Sequence, residues 1–285
     1  MNRMKFSETL LKGFAFAVFL GSCNNEQPII PVETTSVNAT DQNAKINAVL
    51  KLYKYGNDAI QYVKSGKFMG QVSRVSNASK YQKYTYNDNN GTTNLFITSS
   101  SYLQSTNAKF FESVYEISNG RCIANKESNG ATYDYKYNVL GQLEEVFMVY
   151  QGFWLKSTYS YIFNAATNAY RLDKIVAVNQ SGPVRETKFT YTAIPKKYQL
   201  NPDNVDTDLL LPFFGTFSDV LIKDVEVKSL AGAQSTEFRE YNYIIDNAGH
   251  ISSRTEVYHP LGKASNSSLS TTLIDYKYTQ YWQGL

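Results

Sequence analysis

The residues able to do chemistry are few, and their spacing works against it. Glu144 and Glu145 are chain neighbours, and neighbours in an extended backbone point to opposite faces, so they cannot flank one substrate as acid and base. Glu112 and Glu116 share a face, but at ~3.3 Å per residue they stand roughly 13 Å apart, beyond the ~5 to 9.5 Å between glycosidase carboxylates. The only histidines, His250 and His259, fall about 30 Å apart on a strand and make no metal pair. Asp203, Asp206 and Asp208 offer hard oxygens suited to calcium, without the glycine and closing glutamate of an EF-hand loop. No Gly-x-Ser-x-Gly elbow, His-Glu-x-x-His pair or glycine-rich phosphate loop occurs. Cys122 lies in an alternating apolar stretch with no histidine nearby, which suits a small buried hydrophobe better than a nucleophile. This inventory points to no catalytic residue, no metal and no cofactor.

Aromatic side chains are the remaining candidates. Tyr135, Tyr137, Trp154, Tyr159 and Tyr161 present flat apolar faces with polar edges, the chemistry that stacks on sugars. The competing reading is that they are core, because each buried ring contributes roughly 1.5 to 3 kcal/mol.

The elements that position these rings are β-hairpins. Tyr133, Tyr135 and Tyr137 recur at period two, Gly141 allows a tight reversal, and Leu143 to Tyr150 resume the pattern, so Tyr133 to Tyr150 encodes one hairpin. Further strands are predicted at Gln71 to Ser76, Lys80 to Asn87, Thr92 to Ser99, Lys109 to Ser118 and Arg121 to Ser128. Beyond the central hairpin they continue at Phe153 to Phe163, Arg171 to Asn179, Val184 to Ala193, Asp219 to Leu230, Ser235 to Asp246, His250 to His259 and Leu269 to Thr279. Asn90-Gly91, Asn119-Gly120 and Asn129-Gly130 are dipeptides that type I′ turns favour. Before the strands, Ile46, Val49, Leu50 and Tyr53 have helical spacing, predicting a short helix from Asp41 that stops before Gly56.

An aromatic-x-Tyr pair recurs with its first ring at Tyr84, Tyr135, Tyr159, Phe189, Tyr241 and Tyr276, in steps of 51, 24, 30, 52 and 35 residues. The two long steps fit hairpins whose copy of the pair has been lost. Sequential hairpins imply an all-β antiparallel meander of about fourteen strands closing into a barrel or a curved sheet. Asn201 to Gly215 interrupts the meander with Leu209, Leu210, Leu211, Phe213 and Phe214. It is the candidate plug, with Asp203 placed to cap a short helix.

Tyr135 to Leu143, Tyr-x-Tyr-Asn-x-x-Gly-Gln-Leu, resembles the tyrosine-aspartate (RHS-type) repeat, with Asn138 where Asp is usual. With Tyr191 to Lys197 and Asn204-Val205-Asp206, residues 68 to 282 more closely resemble a Bacteroidetes lipoprotein family of unknown function described as having a porin-like β-barrel fold. That resemblance implies a barrel and brings no activity.

At the other end of the chain, Arg3, Lys5 and Lys12 precede a short apolar run from Phe14 to Leu20. That run is far below the ~20 residues of a membrane-spanning helix and reads as a signal peptide. Leu20-Gly21-Ser22-Cys23 resembles a bacterial lipobox, which implies acylation of Cys23 and a lipid anchor in the outer membrane, on a face that the sequence leaves open. The expected organisation is a signal peptide over 1–22, a polar tether over 23–43 and one β-barrel-like domain over 44–285. Removing the leader leaves basic and acidic residues almost balanced, which argues against a nucleic-acid partner. The expectation is a non-enzymatic envelope lipoprotein with an unspecified glycan or protein partner. A glycan- or peptide-hydrolysing enzyme and an integral outer-membrane barrel are the alternatives.

Overall fold

The computed structural model describes residues 50–88, 94–197, 200–232, 235–263 and 269–285. Among them sixteen strands follow one another: β1 (Lys51–Tyr55), β2 (Asp58–Tyr62), β3 (Val72–Ser76), β4 (Lys80–Asn87), β5 (Asn94–Leu103), β6 (Lys109–Ser118), β7 (Arg121–Glu127) and β8 (Thr132–Tyr137). The second half comprises β9 (Leu143–Tyr150), β10 (Phe153–Asn164), β11 (Ala169–Asn179), β12 (Gly182–Pro195), β13 (Val220–Ser229), β14 (Thr236–Ile245), β15 (Ile251–His259) and β16 (Ser270–Thr279). Each strand pairs with its sequence neighbours, and β1 pairs antiparallel with β16, with Lys51 opposite Thr279, so the meander closes into a barrel.

The two strands beyond the expected fourteen are β1 and β2. Lys51–Tyr55 is extended where the spacing predicts the end of a helix, and the rest of that predicted helix lies outside the described residues. Closure is the physical reason. Without β1 and β2, the last strand and β3 would each expose an open hydrogen-bonding edge, and pairing outweighs a weak local helical pattern.

Turn chemistry is mixed. Asn119 and Gly120 both have positive φ, 49° and 71°, the conformation a type I′ reversal requires. At Asn129-Gly130 only the glycine does, because the Asn129 side chain instead accepts the Ala131 N–H at 2.8 Å. Asn90-Gly91 lies outside the described residues.

Tyr84, Tyr135, Tyr159, Phe189, Tyr241 and Tyr276, the first rings of the repeated pair, are all buried inside the barrel. The second rings sit two residues on, towards the ends of even-numbered strands, and four of them, Tyr86, Tyr137, Tyr191 and Tyr243, share a task. A one-residue bulge lies near the start of β1, β3, β7, β9, β11, β13 and β15. A bulge disrupts the ladder locally and strands a backbone polar group. The hydroxyls of Tyr62, Tyr86, Tyr137, Tyr191 and Tyr243 donate to the carbonyls of Leu52, Val72, Cys122, Leu172 and Ile222, each the residue just before a bulge on the preceding strand.

The scheme is not uniform: β9 carries a bulge, yet the Tyr161 hydroxyl of β10 is unpartnered among the described residues. β5 pairs with β4 without a register shift, and on β6 the equivalent position is Ile117, which has no hydroxyl. The 51-residue step therefore does skip a copy that lost its tyrosine. The 52-residue step does not: β12 and β14 flank a single strand, and the excess is the insertion between Pro195 and Val220.

Candidate functional site

By strand number a barrel of this size would hold an aqueous channel. This one is filled. The chain between β12 and β13 runs back into the barrel, and Val205, Leu210, Leu211, Phe214 and Phe217 are buried in its core. The expected plug is thus present, but 201–217 contains no helix, so Asp203 caps nothing. Asn201 organises the segment instead, donating from Nδ2 to the carbonyls of Asp208 and Leu211 at 2.6 and 3.1 Å.

The three aspartates do not converge on a common point. Asp208 accepts the hydroxyls of Tyr84 on β4 and Tyr115 on β6, both at 3.3 Å. Asp206 accepts the Ser157 hydroxyl on β10 at 2.7 Å and meets Arg185 on β12 at 3.4 Å. Asp203 faces Arg254 on β15 at 3.1 Å. Each carboxylate fastens the plug to a different part of the wall, an arrangement that anchors a segment and gathers no shared cation. Burial pushes the Asp208 carboxyl up to about 6, against the pull of the Leu210 N–H and the Tyr84 hydroxyl.

The plug also uses the bulges. The Phe213 carbonyl accepts the Cys122 N–H at 2.9 Å and the Tyr137 hydroxyl at 3.1 Å, and the Phe217 carbonyl accepts the Leu172 N–H at 2.7 Å. Cys122 and Leu172 are the residues before the bulges of β7 and β11. Irregularities in the wall thus supply the donors that hold the plug's backbone.

The sugar-stacking candidates divide. Tyr135 packs its ring 5.2 Å from Phe214 of the plug, and Tyr159 accepts the Asp206 N–H through its hydroxyl. Tyr137 is tied to Phe213, and Tyr161 is packed against the core with its hydroxyl unpartnered among the described residues. These four rings face protein. Trp154 does not belong with them: it lies one face away from Leu155, Ser157 and Tyr159 on β10, outside the barrel, with its ring 6.0 Å from Phe147.

Glu112 and Glu116 both face outward, bonded to Ser100 and to Asn94 respectively. His250 precedes β15 and His259 ends it, beside Asp246 and Glu240 respectively. Cys122 is fully buried, and burial pushes its thiol well above the ordinary range, which suits packing and not attack.

One cluster is brought together by no motif read from the sequence. Arg254 Nη2 meets Asp203 at 3.1 Å, Glu256 at 3.5 Å and the Tyr55 hydroxyl at 3.1 Å, with its guanidinium 4.6 Å from the centre of the Tyr241 ring. Arg239 lies beside Glu256 at 3.6 Å and donates to Asn204 at 3.3 Å. Asp203 and Glu256 are therefore close enough for an acid–base pair. The adjoining cavity is about 50 Å³, lined by Asn201, Asp203, Tyr241, Tyr243, Arg254 and Tyr276, and admits a few water molecules but no sugar ring. Burial raises the Glu256 carboxyl, and Arg254 draws it back. Two guanidinium groups, Arg254 and Arg239, facing two half-buried acids make a charge-balanced joint between plug and wall.

No family model matches the sequence, and no curated protein does. Among solved structures, the chain is similar to a porin-like protein from Bacteroides uniformis at 14% identity, covering 80% of this chain and 96% of that one, with a TM-score of 0.41. A porin-like protein from Bacteroides vulgatus matches at 16% identity over 81% of this chain and 87% of that one, TM-score 0.26. The N-terminal domain of the effector protein SpvB from Salmonella typhimurium matches at 13% identity over 80% of this chain and 86% of that one, TM-score 0.27. With TM-scores under 0.5 and identities this low, these likenesses carry no activity or site to this chain.

Proposed function

We propose that this chain is a non-enzymatic cell-envelope lipoprotein, a plugged barrel held to the outer membrane by acylated Cys23, with the mature domain in water as a binding or structural module. The observation that carries this reading is the combination of a filled interior and a charged exterior. On the outer wall Glu145 of β9 bridges Lys136 of β8 at 2.7 Å and Lys156 of β10 at 3.8 Å. Lys174, Glu186 and Lys188 continue the row on β11 and β12, and Lys228 and Glu226 extend it on β13. A lysine facing lipid at the bilayer midplane costs about 2 to 4 kcal/mol, so a wall built this way favours water over an integral barrel.

A hydrolase reading would place the reaction at Asp203 and Glu256. It is disfavoured by the bridging Arg254 and by a cavity too small for a glycan. With the lumen occupied, a glycan or protein partner would meet the outer wall or a rim, and the near-neutral charge balance gives no attraction for nucleic acid.

Metabolic labelling with palmitate tests the anchor. Label is expected on the wild-type chain and absent from Cys23→Ser. An unlabelled wild-type chain, or equal label on both, would overturn the anchoring.

A further inference from the structure

We propose that one end of the barrel is a membrane-docking rim, so that the molecule stands end-on against the bilayer that holds its anchor. This rests on the lipoprotein reading above. The chain enters β1 at Lys51, and odd-numbered strands begin at the same end at which even-numbered strands finish. The tyrosine-capped bulges, the mouth of the plug and the C-terminus therefore all lie at the end where the chain arrives from Cys23. Residues 24–50 are all that separate the acylated position from this rim. Those 27 residues, even fully extended, reach no more than about 90 to 97 Å, and they join the domain at this end.

The rim is apolar at two neighbouring hairpins. Val139 and Leu140, in the turn between β8 and β9, are 102% and 58% exposed. They are held outward by a formed turn, since Asn138 Oδ1 accepts the N–H groups of Leu140 and Gln142, both at 3.0 Å. In the next hairpin, between β10 and β11, Ile162 and Phe163 are each 51% exposed, and Phe163 pairs with Tyr170 at 5.1 Å. Charges flank these side chains: the Arg121 guanidinium lies against Gly141 of the first turn, and Arg171 and Asp219 neutralise each other at 2.6 Å beside the second hairpin.

Apolar side chains on adjacent turns beside a neutralised ion pair suit shallow insertion between headgroups, where aromatic and branched aliphatic residues are favoured. The lipid occupant follows from the tether. A surface joined to the acylated position by so few residues meets lipid at a far higher effective concentration than any free partner.

Single cysteines can report this directly, because Cys122 is buried and Cys23 is consumed by acylation. Full-length protein processed in cells, purified and reconstituted into phosphatidylethanolamine–phosphatidylglycerol vesicles would carry an environment-sensitive fluorophore at Val139→Cys. Phe163→Cys serves as a second rim site, and Leu261→Cys, in the turn at the opposite end, as the reference. The expected result is blue-shifted emission and strong quenching by shallow nitroxide lipids at both rim sites, with water-like emission at position 261. Water-like emission at all three sites in protein whose mass shows the acyl groups would overturn the docking rim and leave the anchor standing. Lipid contact at position 261 as well would contradict the end-on arrangement. Protein whose mass shows no acyl group would take down the anchor and the rim together.

Discussion

Asp208 is a carboxylate buried between two strand tyrosines, and its acidity gives the plug a pH dependence with a definite sign. Its pKa is about 6 in the folded chain against 3.8 as the reference. Between those values the unfolded chain gives up its proton first, so the folded state binds more protons. The contribution is fully present below pH 3.8 and is lost as pH rises through 6. The difference corresponds to an order of 3 kcal/mol. Asp208→Asn should therefore be more stable than the wild type at pH 7 and nearly equal to it at pH 4, read from urea midpoints at the two values. A variant penalty that is the same at both would refute the assignment.

Tyr137 offers a second test at the same scale. Its hydroxyl serves two carbonyls, those of Cys122 and Phe213. Tyr137→Phe should cost about 1 to 2 kcal/mol for the two hydrogen bonds, and Tyr137→Ala about 3 to 5 kcal/mol. Lys136→Ala, one residue away on the water side, removes an exposed pair with Glu145 and should change stability by no more than about 0.5 kcal/mol. Equal effects at 136 and 137 in thermal melts would contradict the facing of β8.

Among the elements, the strands were the most legible part of the sequence. Lys80 to Asn87, Lys109 to Ser118 and Leu143 to Tyr150 coincide with β4, β6 and β9 because most of each alternates between a packed and a watered face, the bulges at Phe110 and Glu144 falling near the strand starts. What alternation could not show is where its phase breaks. On β15 Ile251 faces inward, and the bulge at Ser252 moves the inward set to Arg254, Glu256 and Tyr258, so the buried ionic cluster could not be placed from parity alone. Parity alone puts Trp154 on the face opposite Tyr159, since their numbers differ by an odd count.

A second copy of the turn that follows the repeated pair was also readable. Asp246 accepts the N–H groups of Ala248 and His250 as Asn138 accepts those of Leu140 and Gln142, with Gly249 and Gly141 both at positive φ. The plug is the most vulnerable element. Gly215 has φ 82°, and a Cβ there would meet the Gly141 carbonyl oxygen at 2.6 Å, whereas one at Gly130, φ 95°, would meet nothing within 4 Å. Both alanine variants pay about 1 kcal/mol for the backbone conformation, but Gly215→Ala must also displace the plug from the wall. It should melt lower than Gly130→Ala and lose hydrogen-exchange protection at the Cys122 and Leu172 amides. Identical melting points would argue that the contact is slack.

For the molecule as a whole, a sixteen-stranded closed wall, a filled lumen and charged outer rows belong together. Closure leaves no sheet edge open, the plug supplies the core that such a wide barrel would otherwise lack, and the charges outside fit water. The meander and the plug segment were visible in the sequence. The fit of one inside the other was not, because it depends on contacts such as Tyr84 to Asp208, across 124 residues. The most direct measurement of the central claim is alkaline carbonate extraction of membranes from cells expressing Cys23→Ser. A water-facing barrel attached only by acyl chains should be recovered in the supernatant, folded and without detergent, while the acylated wild type stays in the pellet. Retention of folded Cys23→Ser in the carbonate-washed membrane would mean that the strands themselves contact the hydrocarbon, and the water-facing barrel would be wrong.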